Sequence, residues 1–100
     1  MTKRELVEEY LSQGLGPDDP VAAMFADGHD DAIVGVVDGF GVPTRVLYDR
    51  GLVIKSLMKQ LGCDYQEAVE FFDYNVAGAW VGDGTPMYCT LVKQLKEELV

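Results

Sequence analysis

Apolar residues recur with the period of a helix in some stretches of the chain and with the period of a β-strand in others. At the N-terminus, Thr2 and Glu5 form a capping box in front of a helix predicted from about Lys3 to Gln13. The apolar stripe of this helix consists of Leu6, Val7, Tyr10 and Leu11. Residues 1–14 are therefore predicted to be a peripheral helix that docks through a narrow face.

A turn and a short helix are predicted to follow. Residues 15–20 form a cluster of turn-forming residues, and Asp19 is placed to cap a helix with Pro20 at its first position. This short helix is expected to run through Ala22–Phe25 and to end at Gly28.

Three β-strands are predicted in the rest of the chain. The valine-rich stretch from Ala32 to Asp38 favours a buried strand, because β-branched residues fit strands and the run is short for a helix. Thr44–Tyr48 alternates polar and apolar residues, so the two stretches should form an antiparallel hairpin around a loop at Gly39–Pro43. A third strand, Pro86–Thr90, is expected to complete a small antiparallel sheet.

Two central helices are predicted between the hairpin and the third strand. Asp49 caps the first, which runs to Leu61 and ends at Gly62. Asp64 caps the second, and Glu67 completes a capping box. The apolar stripe of the second helix consists of Tyr65, Ala68, Val69, Phe72, Val76, Ala79 and Trp80. We expect this stripe to face the core, with its tryptophan against the sheet.

A C-terminal helix is predicted within residues 91–100. Its inward positions are Leu91, Val92, Leu95 and Leu99. The sequence therefore predicts one α+β domain over residues 1–100, with a three-stranded antiparallel sheet packed by two central helices and flanked by N- and C-terminal helices.

Part of the chain carries a recognisable pattern. Gln66–Pro86 reads QEAVEFFDYNVAGAWVGDGTP, and it is preceded by the pair Tyr48 and Asp49 and by the sequence DDAI at Asp30–Ile33. Over about residues 27–88 this pattern resembles a family of small, uncharacterised proteins of bacteria and their phages. The resemblance implies a compact α+β domain and assigns no activity to any residue.

The composition is that of a soluble globular protein. The chain has 100 residues, of which 48% are hydrophobic and 25% are charged. It contains no apolar run long enough to cross a membrane, and its charged N-terminus does not have the apolar stretch of a signal peptide. The sequence therefore predicts a cytoplasmic protein.

The net charge of −9 is distributed unevenly. Residues 15–38 contain six acidic residues and residues 63–90 contain five, and neither segment contains a lysine or arginine. Proteins that bind nucleic acid neutralise phosphates with basic residues, so direct nucleic-acid binding is not expected. A protein partner with a basic surface fits this charge better.

The leading hypothesis is a protein-interaction module without enzymatic activity. Its expected binding surface is the outer side of the second central helix, which we call the acidic face. The acidic face consists of Glu67, Glu70, Asp73, Tyr74 and Asn75. With the resemblance to phage proteins, this suggests a phage or mobile-element inhibitor of a host nucleic-acid-handling or defence complex.

Three residues of this helix have more than one interpretation. Asn75 lies at the flank of the apolar stripe and is expected to bond a neighbouring loop, because buried amides are nearly always paired. Phe71 is expected in the core. Tyr74 fits either the core or a partner-binding surface, where tyrosine is common.

The alternative hypothesis is a small-ligand or metal-binding protein, or an enzyme. Its site is the loop from Asp27 to Asp31, where Asp27, Asp30 and Asp31 surround His29, the only histidine, and it would lie near Asn75. The spacing matches neither a calcium-binding EF-hand loop nor a zinc site. We therefore expect a solvated loop there, with no metal and no cofactor.

The remaining candidates are weaker. Cys63 and Cys89 do not form the disulfide framework of a secreted protein, and reduced thiols are expected, with a disulfide left open. The sequence shows no base placed beside a nucleophile. A homo-oligomer that packs through the terminal helices is a third hypothesis.

Overall fold

The computed structural model of the chain describes residues 1–13, 23–78, 82 and 84–98. The predictions for residues 15–20, for Trp80 and for Leu99 lie outside the described residues. The helices and strands are α1 (Lys3–Ser12), β1 (Ile33–Gly39), β2 (Val42–Asp49), α2 (Arg50–Leu61), α3 (Tyr65–Phe71), β3 (Met87–Cys89) and α4 (Val92–Glu98). A 3₁₀ turn at Asp30–Ala32 precedes β1, and a π-helical segment at Phe72–Val76 follows α3. The predicted α+β class is confirmed.

The sheet has the strand order β1-β2-β3. The predicted antiparallel hairpin is present, but Gly39 pairs with Val42, so the loop contains only Phe40 and Gly41. β3 runs parallel to β2, which places Tyr88 beside Tyr48. The sheet is therefore mixed, and the prediction of a wholly antiparallel sheet is wrong for this pair. A long connection through α2 and α3 permits the parallel arrangement, as crossover connections do.

Helix α1 docks through a narrow face, as predicted. The side chain of Thr2 accepts a hydrogen bond from the backbone N–H of Glu5, and Glu5 bonds back to the N–H of Thr2, which completes the capping box. Val7 is buried against the core. Leu6 and Tyr10 are exposed, so the predicted four-residue stripe is only partly used.

The predicted short helix is absent from its described part. Residues 23–26 have no helical structure. Instead, the backbone N–H of Met24 donates to the carbonyl oxygen of Gly84 at 3.0 Å, and that of Ala26 donates to the hydroxyl of Tyr48 at 2.7 Å. These two long-range bonds satisfy donors that a helix would otherwise pair locally, so tertiary contacts override the local signal.

The predicted caps Asp49, Asp64 and Gly62 of the central helices are confirmed. The carboxylate of Asp49 accepts a hydrogen bond from the N–H of Leu52 at the start of α2, and that of Asp64 accepts one from the N–H of Glu67 at the start of α3. Gly62 ends α2 in the left-handed conformation, with φ of 65°.

The second central helix is not a continuous α-helix. The chain widens into a π-helical segment at Phe72–Val76, where the N–H of Ala77 donates to the carbonyl oxygen of Phe72 at 2.8 Å. Ala68 and Phe72 are buried as predicted, but Tyr65 is exposed. The apolar spacing of 3.6 residues cannot reveal this local change of period.

The core lies between the sheet and the central helices. Its buried residues are Val7, Ala32, Ile33, Val46, Tyr48, Val53, Ile54, Leu57, Ala68 and Phe72. Phe72 packs edge-on against Tyr88, with ring centroids 5.0 Å apart. β1 is only half-buried, because Ile33 faces the core while Val34 is exposed, so the prediction of a buried strand is wrong in this respect.

Helix α4 is present, and among its described apolar positions only Leu91 is half-buried. Val92 and Leu95 are exposed. The side chain of Gln94 instead connects the helix to the sheet: its amide nitrogen donates to the buried carboxylate of Asp49 at 3.1 Å, and its carbonyl oxygen accepts from the N–H of Leu91 at 2.8 Å. Within the described part of α4, the amide of Gln94 therefore connects the helix to the sheet.

Candidate functional site

The acidic face lies on the surface of α3 and the π-helical segment. All five of its predicted members, Glu67, Glu70, Asp73, Tyr74 and Asn75, are exposed. The opposite side of the same helix packs Ala68 and Phe72 into the core. The residues of the acidic face are thus free to meet a partner without disturbing the fold.

Aromatic residues accompany the carboxylates on this surface. Tyr74 is 84% exposed, which decides between its two interpretations in favour of the surface. Phe71 is 37% exposed and lies at the boundary between core and surface, so its predicted core position is wrong. Large exposed aromatic residues next to charged ones are frequent in protein-binding surfaces.

Asn75 is held by its own helix. Its amide nitrogen donates to the carbonyl oxygen of Phe71 at 3.3 Å. The helix itself supplies this acceptor, and the predicted bond to a neighbouring loop stays a prediction, because residues 79–81 and 83 lie outside the described residues. The local widening of the helix thus decides where this amide lies.

The loop from Asp27 to Asp31 is bound to α1. The guanidinium of Arg4 lies 3.9 Å from a carboxylate oxygen of Asp27 and 3.6 Å from one of Asp30. The ammonium group of Lys3 donates to the carbonyl oxygen of Asp31 at 2.7 Å. Arg4 therefore pairs with two carboxylates of the loop, and Lys3 binds its backbone.

The structure does not gather these residues as metal ligands. Among the described residues, no group of three histidine, cysteine, aspartate or glutamate side chains is arranged to hold a metal ion. The Arg4 guanidinium also stacks over the ring of Phe25, 4.5 Å from its centroid, and this fixes it between the helix and the loop. The arrangement favours a structural role for the loop.

His29 is the most enclosed polar residue of this loop. It is only 7% exposed, and its Nδ1 atom has no hydrogen-bond partner among the described residues. Burial lowers the pKa of His29, and the nearby Asp30 opposes this shift. The imidazole is therefore neutral near pH 7.

Two cavities meet at His29. An open cleft of about 840 Å³ lies between the loop and α2, and its lining includes Lys55, Lys59 and Cys63. A smaller cavity of about 380 Å³, which is open to solvent to a similar degree, is lined by Asp27, His29 and Asn75 together with apolar residues. The structure therefore brings three members of the predicted ligand site together, while Asp30 and Asp31 line the cleft instead.

The two cysteines are weaker candidates for a reactive site than the loop from Asp27 to Asp31. Cys63 and Cys89 are both free thiols and partly buried. Burial raises the pKa of Cys89, and the neighbouring carboxylate of Asp49 raises it further. Because the thiolate is the nucleophilic form, this environment disfavours reactivity at Cys89.

Sequence reasoning missed Arg4, Phe25 and Tyr88 as parts of this region. Arg4 has no signal in the sequence that pairs it with a loop more than twenty residues away. The sequence predicts Tyr88 only as a strand residue, whereas in the structure its side chain lines the smaller cavity. Such pairings depend on the tertiary fold, and an isolated sequence does not encode them in any local pattern.

Comparison with known proteins gives no relatives. No model of a protein family, no curated protein and no solved structure matches this chain. The resemblance to small bacterial and phage proteins therefore stays a prediction. Within the described ranges, no helix is long and apolar enough to span a membrane.

Proposed function

We propose that this protein is a non-enzymatic interaction module whose acidic face binds a basic surface on another protein. The observation that carries this proposal is the 84% exposure of Tyr74 among the exposed carboxylates of Glu70 and Asp73. Phe72 supplies the aromatic ring that this segment contributes to the core. The exposed ring of Tyr74 therefore has no part in core packing.

The composition of the acidic face indicates the kind of contact. Tyrosine is enriched among the residues that contribute most to binding energy, since it buries a large ring and keeps a polar hydroxyl. Carboxylates around such an anchor contribute mainly to the rate of association and to specificity. We therefore propose a central contact at Tyr74, surrounded by charge pairs.

The partner follows from the charge. Residues 63–90 contain no lysine or arginine, so the exposed side chains of α3 itself favour a cationic surface on the partner. Basic protein surfaces often serve to bind the phosphates of nucleic acids. An acidic protein on such a surface would compete with nucleic acid, and inhibition of a cytoplasmic nucleic-acid-handling or defence complex is the form of this function that we propose.

Affinity capture with matched variants tests the proposal. The tagged wild-type chain should retain a basic protein from a lysate of its source cells, and Tyr74→Ala and the double variant Glu70→Lys/Asp73→Lys should lose it. The double variant Glu9→Lys/Asp31→Lys makes the same change in net charge at two exposed positions outside the acidic face and should keep it. The purified pair should also dissociate as the salt concentration rises.

Two results would contradict this function. If the control double variant loses the partner as completely as Glu70→Lys/Asp73→Lys, only net charge matters and the acidic face is not a specific surface. If light scattering shows a dimer whose association is abolished by Val92→Glu or Leu6→Glu, and no other partner is retained, the protein is instead a homo-oligomer that uses its terminal helices.

A further inference from the structure

The smaller cavity at His29 has the character of a ligand pocket. Its volume of about 380 Å³ lies within the range of small-molecule sites, roughly 300–1,000 Å³. Most of its wall is apolar, formed by Met24, Phe25, Ala26, Val76, Pro86 and Tyr88. A few polar groups in a mainly apolar wall are the usual composition of such sites.

The π-helical segment contributes one side of this cavity. Asn75 and Val76, its last two residues, both line the space. Short π-helical segments inside helices cost regular hydrogen bonds and occur frequently at functional sites. The irregularity of this helix therefore coincides with the cavity.

The polar groups of the cavity restrict the ligand. Asp27 is the one charged residue among the described residues that line it. His29 lies in its wall as a neutral imidazole, and Asn75 adds an amide. Asp27 shares the guanidinium of Arg4 with Asp30, and this group of two carboxylates and one cation keeps a net negative charge at the edge of the cavity. A carboxylate or phosphate ligand would meet that charge, whereas an amine or an uncharged donor would find acceptors.

We propose that this cavity binds a small ring-containing molecule that is uncharged or cationic and carries a hydrogen-bond donor. The apolar walls accept the ring, and Asp27, His29 and Asn75 face its polar end. This site does not depend on the proposed protein partner, although Asn75 belongs to both surfaces.

Titration with three probes of similar size tests the charge and the chemistry of the ligand. Indole is neutral, benzylamine is cationic and benzoate is anionic, and each is added to the ¹⁵N-labelled full-length chain. Indole and benzylamine should cause saturable shifts of the Ala26, Val76 and Tyr88 amides and of the His29 imidazole resonances. Benzoate should cause none at the same concentrations.

Two substitutions locate the binding. Val76→Phe fills the cavity and should weaken the binding of both probes at least about tenfold, equivalent to about 1.4 kcal/mol. Val34→Phe makes the same change at an exposed position of β1 and should leave binding unchanged. Asp27→Asn should weaken benzylamine more than indole. A thermal melt of each variant shows whether it is folded.

Several outcomes would overturn the proposal. Shifts that do not saturate, shifts equal for benzoate and benzylamine, or unchanged binding by folded Val76→Phe would each show that the cavity is not a site of this chemistry. Trp80 follows Val76 by four residues in the sequence and lies outside the described residues. If the probes bind Trp80→Ala but not the wild type, the chain itself fills the cavity and the proposal is wrong.

Discussion

The hydroxyl of Tyr48 accepts a hydrogen bond from the backbone N–H of Ala26, with 2.7 Å between the two heavy atoms. Tyr48 is completely buried in the central strand of the sheet. This bond attaches the segment before the loop from Asp27 to Asp31 to the core. It places Phe25 and Ala26 where they line the smaller cavity.

The substitution Tyr48→Phe measures this bond. It leaves the N–H of Ala26 without its acceptor, so we expect the free energy of unfolding to fall by about 1–3 kcal/mol. Urea denaturation gives this quantity, and Tyr10→Phe on the exposed face of α1 is the matched control, with a change within about 0.5 kcal/mol. Equal effects of the two substitutions would show that the bond contributes nothing.

Gly78 should tolerate no side chain. A β-carbon at this position would lie 2.9 Å from the backbone carbonyl oxygen of Asp73, closer than such atoms approach. We expect Gly78→Ala to destabilise the protein by about 1–3 kcal/mol and to speed amide exchange at Ala77. Wild-type stability together with a protected Ala77 amide would mean that the end of the π-helical segment adapts without cost.

Gln94 should determine whether α4 stays docked. Gln94→Ala removes the bond to Asp49 and the bond to the N–H of Leu91. Amide exchange of α4 should become about tenfold faster, equivalent to about 1.4 kcal/mol of local stability. Lys93→Ala, on the exposed side of the same helix, should leave the exchange rates unchanged. Equal acceleration in both variants would show that the bonds of Gln94 do not hold the helix, since alanine lowers the helix propensity at neither position.

His29 should make stability fall in mild acid. Its pKa is lowered in the folded state by burial, so the unfolded chain binds the proton more readily. Its contribution to stability is present above the unfolded pKa of about 6.5 and is lost as the pH falls from there towards the folded pKa. Chemical denaturation between pH 8 and about pH 5 should show this fall, and His29→Gln should flatten it.

The pH experiment has a simple interpretation because His29 is the only histidine of the chain. A curve for His29→Gln that falls as steeply as that of the wild type would assign the effect to the carboxylates. In that case the imidazole of His29 would not contribute to the pH dependence of the free energy of unfolding.

Local signals in the sequence predicted much of the fold. Each of the predicted N-caps Thr2, Asp49 and Asp64 bonds the backbone as expected, and Gly62 ends its helix. These features depend on residues within one helical turn, where side-chain chemistry alone decides the structure.

Features that depend on distant contacts were not predicted. The direction of β3 is set by the crossover through α2 and α3, and strand propensity contains no information about direction. The described part of the predicted short helix, residues 23–26, is not helical, because Tyr48 and Gly84 accept hydrogen bonds from its backbone donors. Exposure of the acidic face was predicted from spacing, whereas the charge pairing of the loop with Arg4 was not.

The parallel pairing of Tyr48 with Tyr88 also affects the order in which parts of the sheet can form during synthesis. The hairpin and the two central helices close short loops and can form while the chain is still leaving the ribosome. β3 closes a long loop and can add only after residues 87–89 have emerged. Until then the second edge of β2 is open to strands of other chains, so the pairing of residues 87–89 protects the nascent protein from aggregation.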